Sequence, residues 1–445
     1  MPVTDFRSIS DGIAAEIASG ALPAGTRLPP QRQFAFERGI AVSTASRVYA
    51  ELTRRGLVSG EVGRGTFIRA PATSVAALLS EDAPGPINLE HVFSVLPHQS
   101  ADLAASLATL ITPAALDAAF PPVRPAGSVE GRALAAQFFT RGGWKAGAEQ
   151  VLFTGAGRQG IAAAMAALAR PGDRIGVEAL TYPVIKGIAA RLGITLVPLA
   201  VDADGVRPDA LVAAHQAAPL RAVYLQTVLQ SPLGHTMGLE RRGAIARLLD
   251  RHDIIAIEDA VYGFLCDEAP LAALAPDRVI LVDSLSKRVA PGLTLGFVAA
   301  PPALVERLAR TIRNGAWTAS GLALAMALHV IGDGLAGRLG AAKRVDAAAR
   351  QTLARAVLRG LDLQGDPRAY HLWLGLPDPW TPERFAMAAA RNGVAVSPAS
   401  AFAVGPDPAP NGVRLALGSP SPDRLTVALE ILGRLVGDGD DSQVE

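Results

Sequence analysis

The chain has 445 residues, and at about 100 to 200 residues per domain that length implies two to four domains with room for a large core. Charged residues make up 19% and the apolar set 50%, which excludes a mainly disordered chain and a histone-like basic one. The net charge is +1, yet residues 1–70 hold nine Arg, no Lys and six acids, so the basic excess lies at the N-terminus.

Cys266 is the only cysteine, which rules out an intramolecular disulfide framework and a CxxC metal site and fits a reducing compartment. No metal site is read. Lysine occurs only at 145, 186, 287 and 343, a short candidate list for any chemistry that needs an amine. The opening MPVTDFRSIS has no basic segment followed by an apolar stretch, so no secretory signal is read. The most membrane-like window, Ala316–Gly332, is Ala-rich and carries Thr318, Ser320, Gly321 and His329. It reads as a buried helix, and a cytoplasmic protein without a membrane partner is expected.

In chain order, Phe6, Ile9, Ile13 and Ile17 recur at helical spacing up to Gly20. A second helix follows Leu28-Pro29-Pro30, where the first turn needs no N–H donor, and stops at Gly39. A third runs from about Val42 to Arg55, with Val48, Tyr49 and Leu52 near one face. Residues 57–62 and 66–68 read as short strands around Gly63-Arg64-Gly65. Three helices and a β-wing over residues 1–70 predict a winged helix-turn-helix. Residues 71–88, rich in Ala, Pro and Ser, read as a linker.

From Leu89 onward, short apolar runs alternate with helical stretches: 151–154, 173–177, 195–199, 222–225, 254–259, 279–283 and 294–299. This predicts an α/β domain over residues 89–440, with a mostly parallel sheet covered by helices on both faces. Strands near His371–Leu376, Val394–Val396 and Val413–Leu417 suggest a smaller C-terminal α+β part.

A helix-turn-helix presents short polar and cationic side chains from the start of its second helix. Ser43, Thr44 and Arg47 occupy that place, Arg32 opens the preceding helix, and Arg64 with Gly65 lies at the wing tip. Double-stranded DNA is the partner these residues imply. Residues 20–32 (GALPAGTRLPPQR), Arg47-Val48-Tyr49-Ala50-Glu51-Leu52, Arg55-Gly56-Leu57-Val58 and Gly65-Thr66-Phe67 resemble the GntR DNA-binding domain. Many such domains carry Arg where this chain has Val42, so readout at that step is expected to be apolar.

In the larger domain, a lysine that forms a Schiff base must shed its proton near neutral pH. Lys287 in Asp283-Ser284-Leu285-Ser286-Lys287 follows a strand, where open α/β sheets place ligands, whereas Lys145, Lys186 and Lys343 read as solvated. Asp259 in Glu258-Asp259-Ala260-Val261-Tyr262 is suited to hold a protonated pyridine nitrogen, or else to cap a helix. Tyr262 is suited to donate to a ring hydroxyl, and Tyr182 to stack on a ring. The small residues of Thr154-Gly155-Ala156-Gly157-Arg158-Gln159 leave backbone N–H groups free for phosphate. Arg414 can grip a carboxylate with two parallel hydrogen bonds.

Together these segments resemble fold-type I aminotransferases dependent on pyridoxal 5′-phosphate, and the whole chain resembles the MocR-type transcriptional regulators. That resemblance implies a homodimer whose aminotransferase-like domain senses the cofactor or an amine or amino acid effector. It also implies that Lys287 binds the cofactor covalently and Asp259 its ring nitrogen. Tyr262 and Ser231 would face the ring hydroxyl, and Tyr182 would stack on the ring. Ser284 with Ala156, Gly157 and Arg158 would hold the phosphate, and Arg414 a substrate carboxylate. Two positions depart from the family pattern: Ser231 replaces the Asn of Asn-Pro-x-Gly, and Thr294 replaces the phosphate-binding Arg of Pro-Gly-x-Arg. Arg158 is the candidate substitute for that charge. An active aminotransferase with an appended DNA-binding domain is the alternative.

Overall fold

The computed structural model describes residues 6–18, 22, 26–54, 57–61, 65–68, 86–405 and 409–437. The chain divides into two compact units, Met1–Pro84 and Gly85–Glu445.

In the first unit, Ile9, Ile13 and Ile17 sit one turn apart, so the helix Phe6–Ala18 buries all three on one face. Pro30 leads into the helix Gln31–Glu37, which buries Phe34 and Ala35. The helix Val42–Arg54 adds Ala45, Val48, Tyr49 and Leu52 to the same core. Burying an aliphatic side chain of this size contributes about 1.5–3 kcal/mol, which a unit this small needs from most of its core. The Tyr49 ring meets Phe34 edge-on at 5.4 Å, and its hydroxyl donates to the Pro29 carbonyl. Three antiparallel strands, in the order Arg27–Leu28, Gly65–Ile68, Val58–Glu61, close the core through Leu28, Ile68 and Val58. The first of these was not expected from the sequence; it pairs for two residues before Pro29. Gly20 and the wing tip with Arg64 lie outside the described residues.

In the second unit, seven strands form one sheet in the order Val151–Thr154, Gly296–Ala299, Val279–Ser284, Ile255–Asp259, Ala222–Leu225, Arg174–Glu178, Thr195–Leu199. Gly296–Ala299 alone runs antiparallel to the other six strands. Side chains alternate between two cores, Val223 and Leu225 on one face and Ala222 and Tyr224 on the other. Helices such as Gly157–Leu168 and Leu239–Arg251 cover these faces. The strand expected at 173–177 is shifted by one, which puts Glu178 at its carboxyl end.

The C-terminal part is a four-stranded antiparallel sheet in the order Leu363–Gln364, His371–Gly375, Gly412–Ala416, Ser397–Pro398. Beside it Ile87–Asn88 pairs in parallel with Val394–Ala395. Ile87 and Asn88 therefore belong to this sheet region and not to the linker read over 71–88; residues 71–85 lie outside the described residues. In the window 316–332 the helix is Gly321–Gly332, which buries Leu324, Ala327, Val330 and Ile331. No single described helix is long and apolar enough to cross a membrane.

Candidate functional site

Strand ends at the carboxyl edge of the seven-stranded sheet converge on Lys287. Val279–Ser284 passes into the short helix Leu285–Arg288, whose first turn is capped by Ser284 Oγ accepting from the Ser286 N–H at 3.3 Å. Lys287 Nζ donates to the Val92 carbonyl at 2.7 Å and lies 3.8 Å from the centre of the Phe93 ring. Burial, reinforced by the positive charges of Arg414, Arg158 and Lys343, lowers its pKa to about 7; Asp259 opposes the shift. A large share of this amine is therefore neutral at physiological pH, as a nucleophilic lysine requires.

The other lysines behave differently from one another. Lys145 is exposed. Lys343 is fully buried, not solvated as expected: its Nζ donates to the Lys287 carbonyl at 3.0 Å and the Val289 carbonyl at 2.8 Å, so it ties down the end of the short helix. Lys186 is half-buried and donates to the carbonyls of Ala401 and Ala403, so it too is not simply solvated.

Asp259, 5% exposed, ends the strand next to Lys287's own. Its Oδ2 accepts from the Tyr224 hydroxyl at 2.7 Å and from Gln226 Nε2 at 3.2 Å, and its Oδ1 accepts from the Val261 N–H at 3.2 Å. Burial raises its pKa to about 6, against which the Tyr224 hydrogen bond favours the ionised form. Tyr262 is buried, with its ring 5.9 Å from Lys287 Nζ and 5.5 Å from the His371 ring. Tyr182 is half-buried, and burial raises its hydroxyl pKa.

The loop after Val151–Thr154 meets Ser284. A Cβ at Gly157 would lie 3.1 Å from Ser284 Cβ and 3.4 Å from its Oγ, so glycine keeps open the space in front of that hydroxyl. Ala156 and Gly157 open the helix Gly157–Leu168, whose N-terminus favours an anion. Arg158 is exposed in its first turn, and its charge acts on both Lys287 and Tyr182, which places it on the site side. Thr294 Oγ1 is hydrogen-bonded to Ser286 Oγ at 2.7 Å.

Arg414, 8% exposed, has neutral partners: Ser231 Oγ at 3.1 Å, Ser397 Oγ at 3.3 Å and the Glu90 carbonyl. Its Nε is buried without a hydrogen-bond partner. A buried guanidinium left in that state favours an added carboxylate. His371, wholly buried, donates from Nε2 to the Gln230 carbonyl at 2.9 Å, leaving Nδ1 unpartnered; burial lowers its pKa to about 3.

Sequence reasoning missed Tyr224, Gln226, His371 and the segment carrying Val92 and Phe93. Gln226 stands one residue past Ala222–Leu225, so the strand-end rule could have found it. His371 has no such signal, because it sits in an apolar strand.

In the first unit, Arg32 and Ser43 are exposed and Thr44 is half-buried, each in the first turn of its helix. Arg47 is exposed one turn later, its guanidinium 4.4 Å from the centre of the Phe6 ring. Val42, at the helix start, is 50% exposed. Gly65 opens the second wing strand.

The aminotransferase class I and II family matches residues 122–432, and the bacterial regulatory proteins of the gntR family match residues 7–68. The HTH-type transcriptional regulator YdeF of Bacillus subtilis is 32% identical over 439 residues, covering 97% of this chain and 94% of the relative. The chain belongs to the MocR-type transcriptional regulators. Another relative, the vitamin B6 salvage pathway transcriptional repressor PtsJ of Salmonella typhimurium, is 28% identical over 95% of this chain and 96% of its own. Among solved structures, an archaeal alanine:glyoxylate aminotransferase superposes with a TM-score of 0.73 at 21% identity, covering 88% of this chain and 94% of its own, which establishes the fold. As in other MocR-type chains, a gntR unit precedes an aminotransferase unit. The donor set fits pyridoxal 5′-phosphate, with a desolvated lysine, a buried carboxylate, a Ser284 hydroxyl that only glycine at 157 leaves uncrowded and an orphaned guanidinium nitrogen.

Proposed function

We propose that this chain is a DNA-binding transcriptional regulator whose aminotransferase-like unit holds pyridoxal 5′-phosphate at Lys287 and responds to an amine or amino acid that carries a carboxylate. The observation that carries the reading is Arg414, a buried guanidinium with neutral partners and an orphaned Nε in the same site as a lysine poised near neutrality. The vitamin B6 role in the name of PtsJ supports the same cofactor chemistry.

In this reading Lys287 supplies the amine, and Asp259 pairs with the protonated ring nitrogen. Tyr262 and Ser231 face the ring hydroxyl, and Tyr182 covers the ring. Ala156, Gly157, Arg158 and Ser284 receive the phosphate, and Arg414 the effector carboxylate. When bound, the cofactor supplies an electron sink for the amine's α-carbon. Arg32, Ser43, Thr44, Arg47, Arg64 and Gly65 face DNA, with phosphate contacts setting register and Ser43 and Thr44 near base edges. The regulator works as a cytoplasmic homodimer, as a two-fold operator would require.

The alternative, an active aminotransferase with an appended DNA-binding unit, is favoured by the intact Lys287 and Asp259. Against efficient turnover stand Ser231, whose hydroxyl is engaged by Arg414, and Thr294, which brings no charge to the phosphate. The test measures DNA binding by the full chain, using a fragment selected from random sequence. It is repeated with pyridoxal 5′-phosphate, and again with added amino acids. A change in DNA affinity that requires both ligands supports the regulator. Unchanged affinity together with steady conversion of amino acid to keto acid would overturn it in favour of the enzyme.

A further inference from the structure

We infer that Gln226 is a positioning residue, which holds Asp259 for the cofactor's ring nitrogen and ties it to the Ser231 turn on which Arg414 rests. The inference deepens the cofactor reading above and rests on it.

Gln226 is 2% exposed, at the carboxyl edge of the sheet. Its amide orientation follows from its partners. The Ser231 backbone N–H can only donate, and it meets one amide atom at 3.0 Å, so that atom is the carbonyl Oε1. The other is then Nε2, a donor placed 3.2 Å from Asp259 Oδ2. On the far side of Ser231, its Oγ accepts from Arg414 Nη1 at 3.1 Å. Hydrogen bonds therefore run without a break from Arg414 through Ser231 and Gln226 to Asp259, and end at the Tyr224 hydroxyl.

This line decides which carboxylate oxygen is available. Gln226 and Tyr224 together occupy Oδ2 of Asp259, whereas Oδ1 accepts only from the Val261 N–H and keeps a lone pair for an outside donor. Asp259 is also surrounded by groups that act on its charge. Asp283 and Glu178 disfavour the ionised form, Lys287 favours it, and Tyr182 and Tyr262 lie within the same field. In such surroundings each donor to the carboxylate counts, because the group is cut off from water. Without Nε2, Asp259 would lose one of its two side-chain donors and the restraint that turns Oδ1 outward.

The test compares two ligands on the full chain: pyridoxal 5′-phosphate, and its 1-deaza analogue, which keeps the aldehyde and phosphate but has carbon in place of the ring nitrogen. Gln226→Met is expected to weaken the natural cofactor about ten-fold, the scale of one hydrogen bond to a charged group. The analogue, which offers Asp259 no N–H, is expected to change less than about two-fold. Gln226→Glu, close in shape but lacking the donor when ionised, should show the same selectivity. Equal losses for both ligands in both variants, or no loss in either, would overturn the inference. Wild-type protein that binds neither ligand would instead remove the cofactor reading beneath it.

Discussion

The Tyr224 hydroxyl donates a 2.7 Å hydrogen bond to Oδ2 of Asp259, and both residues are buried on adjacent strands near their carboxyl ends. This bond favours the ionised carboxylate in a setting whose burial has raised its pKa to about 6. A protonated ring nitrogen pairs with the ionised form, so cofactor affinity should be full above that pH and fall as pH drops through it. Tyr224→Phe removes a donor and should move the midpoint upward by about one unit, weakening binding about two-fold at pH 7 and about ten-fold at pH 5. Cofactor titrations from pH 5 to 8 check this; an unmoved midpoint would show that Tyr224 serves packing alone.

Arg414 offers a planar fork, and its buried Nε has no hydrogen-bond partner. Arg414→Lys keeps a charge but loses the fork. The amino acid concentration needed to change the bound cofactor's absorbance should rise about ten-fold or more, with cofactor affinity changed less. An unaltered amino acid response would place the carboxylate elsewhere.

Arg47 is held over the Phe6 ring, so its charge is presented from a fixed direction at the exposed side of the helix Val42–Arg54. Arg47→Ala should weaken DNA binding without unfolding the unit, and should reduce the slope of log affinity against log salt by about one. Phe6→Leu keeps the charge and should cost less. Matched-salt anisotropy titrations on a selected duplex compare the three proteins, and equal affinity in all would remove Arg47 from the interface.

Arg158 is exposed in the first turn of the helix Gly157–Leu168, and Thr294 is already hydrogen-bonded to Ser286. If Arg158 supplies the charge that Thr294 lacks, Arg158→Ala lowers cofactor affinity about ten-fold, while Thr294→Arg raises it and partly rescues the Arg158 variant. Titration of wild type, both single variants and the double variant decides this. Wild-type affinity in Arg158→Ala would leave the phosphate to Ser284 and backbone donors.

Lys287 and Asp259 were legible because each follows an apolar run at a strand end, a local signal that fixes position relative to the sheet. Lys343 was misread because the charged Arg344 and Asp346 stand close to it in AAKRVDAAAR. Its four-carbon stem turns inward to carbonyls 54 and 56 residues away in sequence, which no local pattern records. Ile87–Asn88 looked like linker for the same reason: its strand partner, Val394–Ala395, comes from the far end of the chain. Polar residues such as Gln226 fail to stand out because their role depends on which partners the fold brings to each amide atom.

The central claim is that Lys287 holds the cofactor, and borohydride reduction of the cofactor-loaded chain followed by peptide mapping tests it most directly. The pKa near 7 predicts that labelling rises with a midpoint near neutrality, not near 10, and that the label lies on the peptide containing Lys287. Label on Lys145, Lys186 or Lys343, or undiminished labelling in Lys287→Ala, would contradict the account.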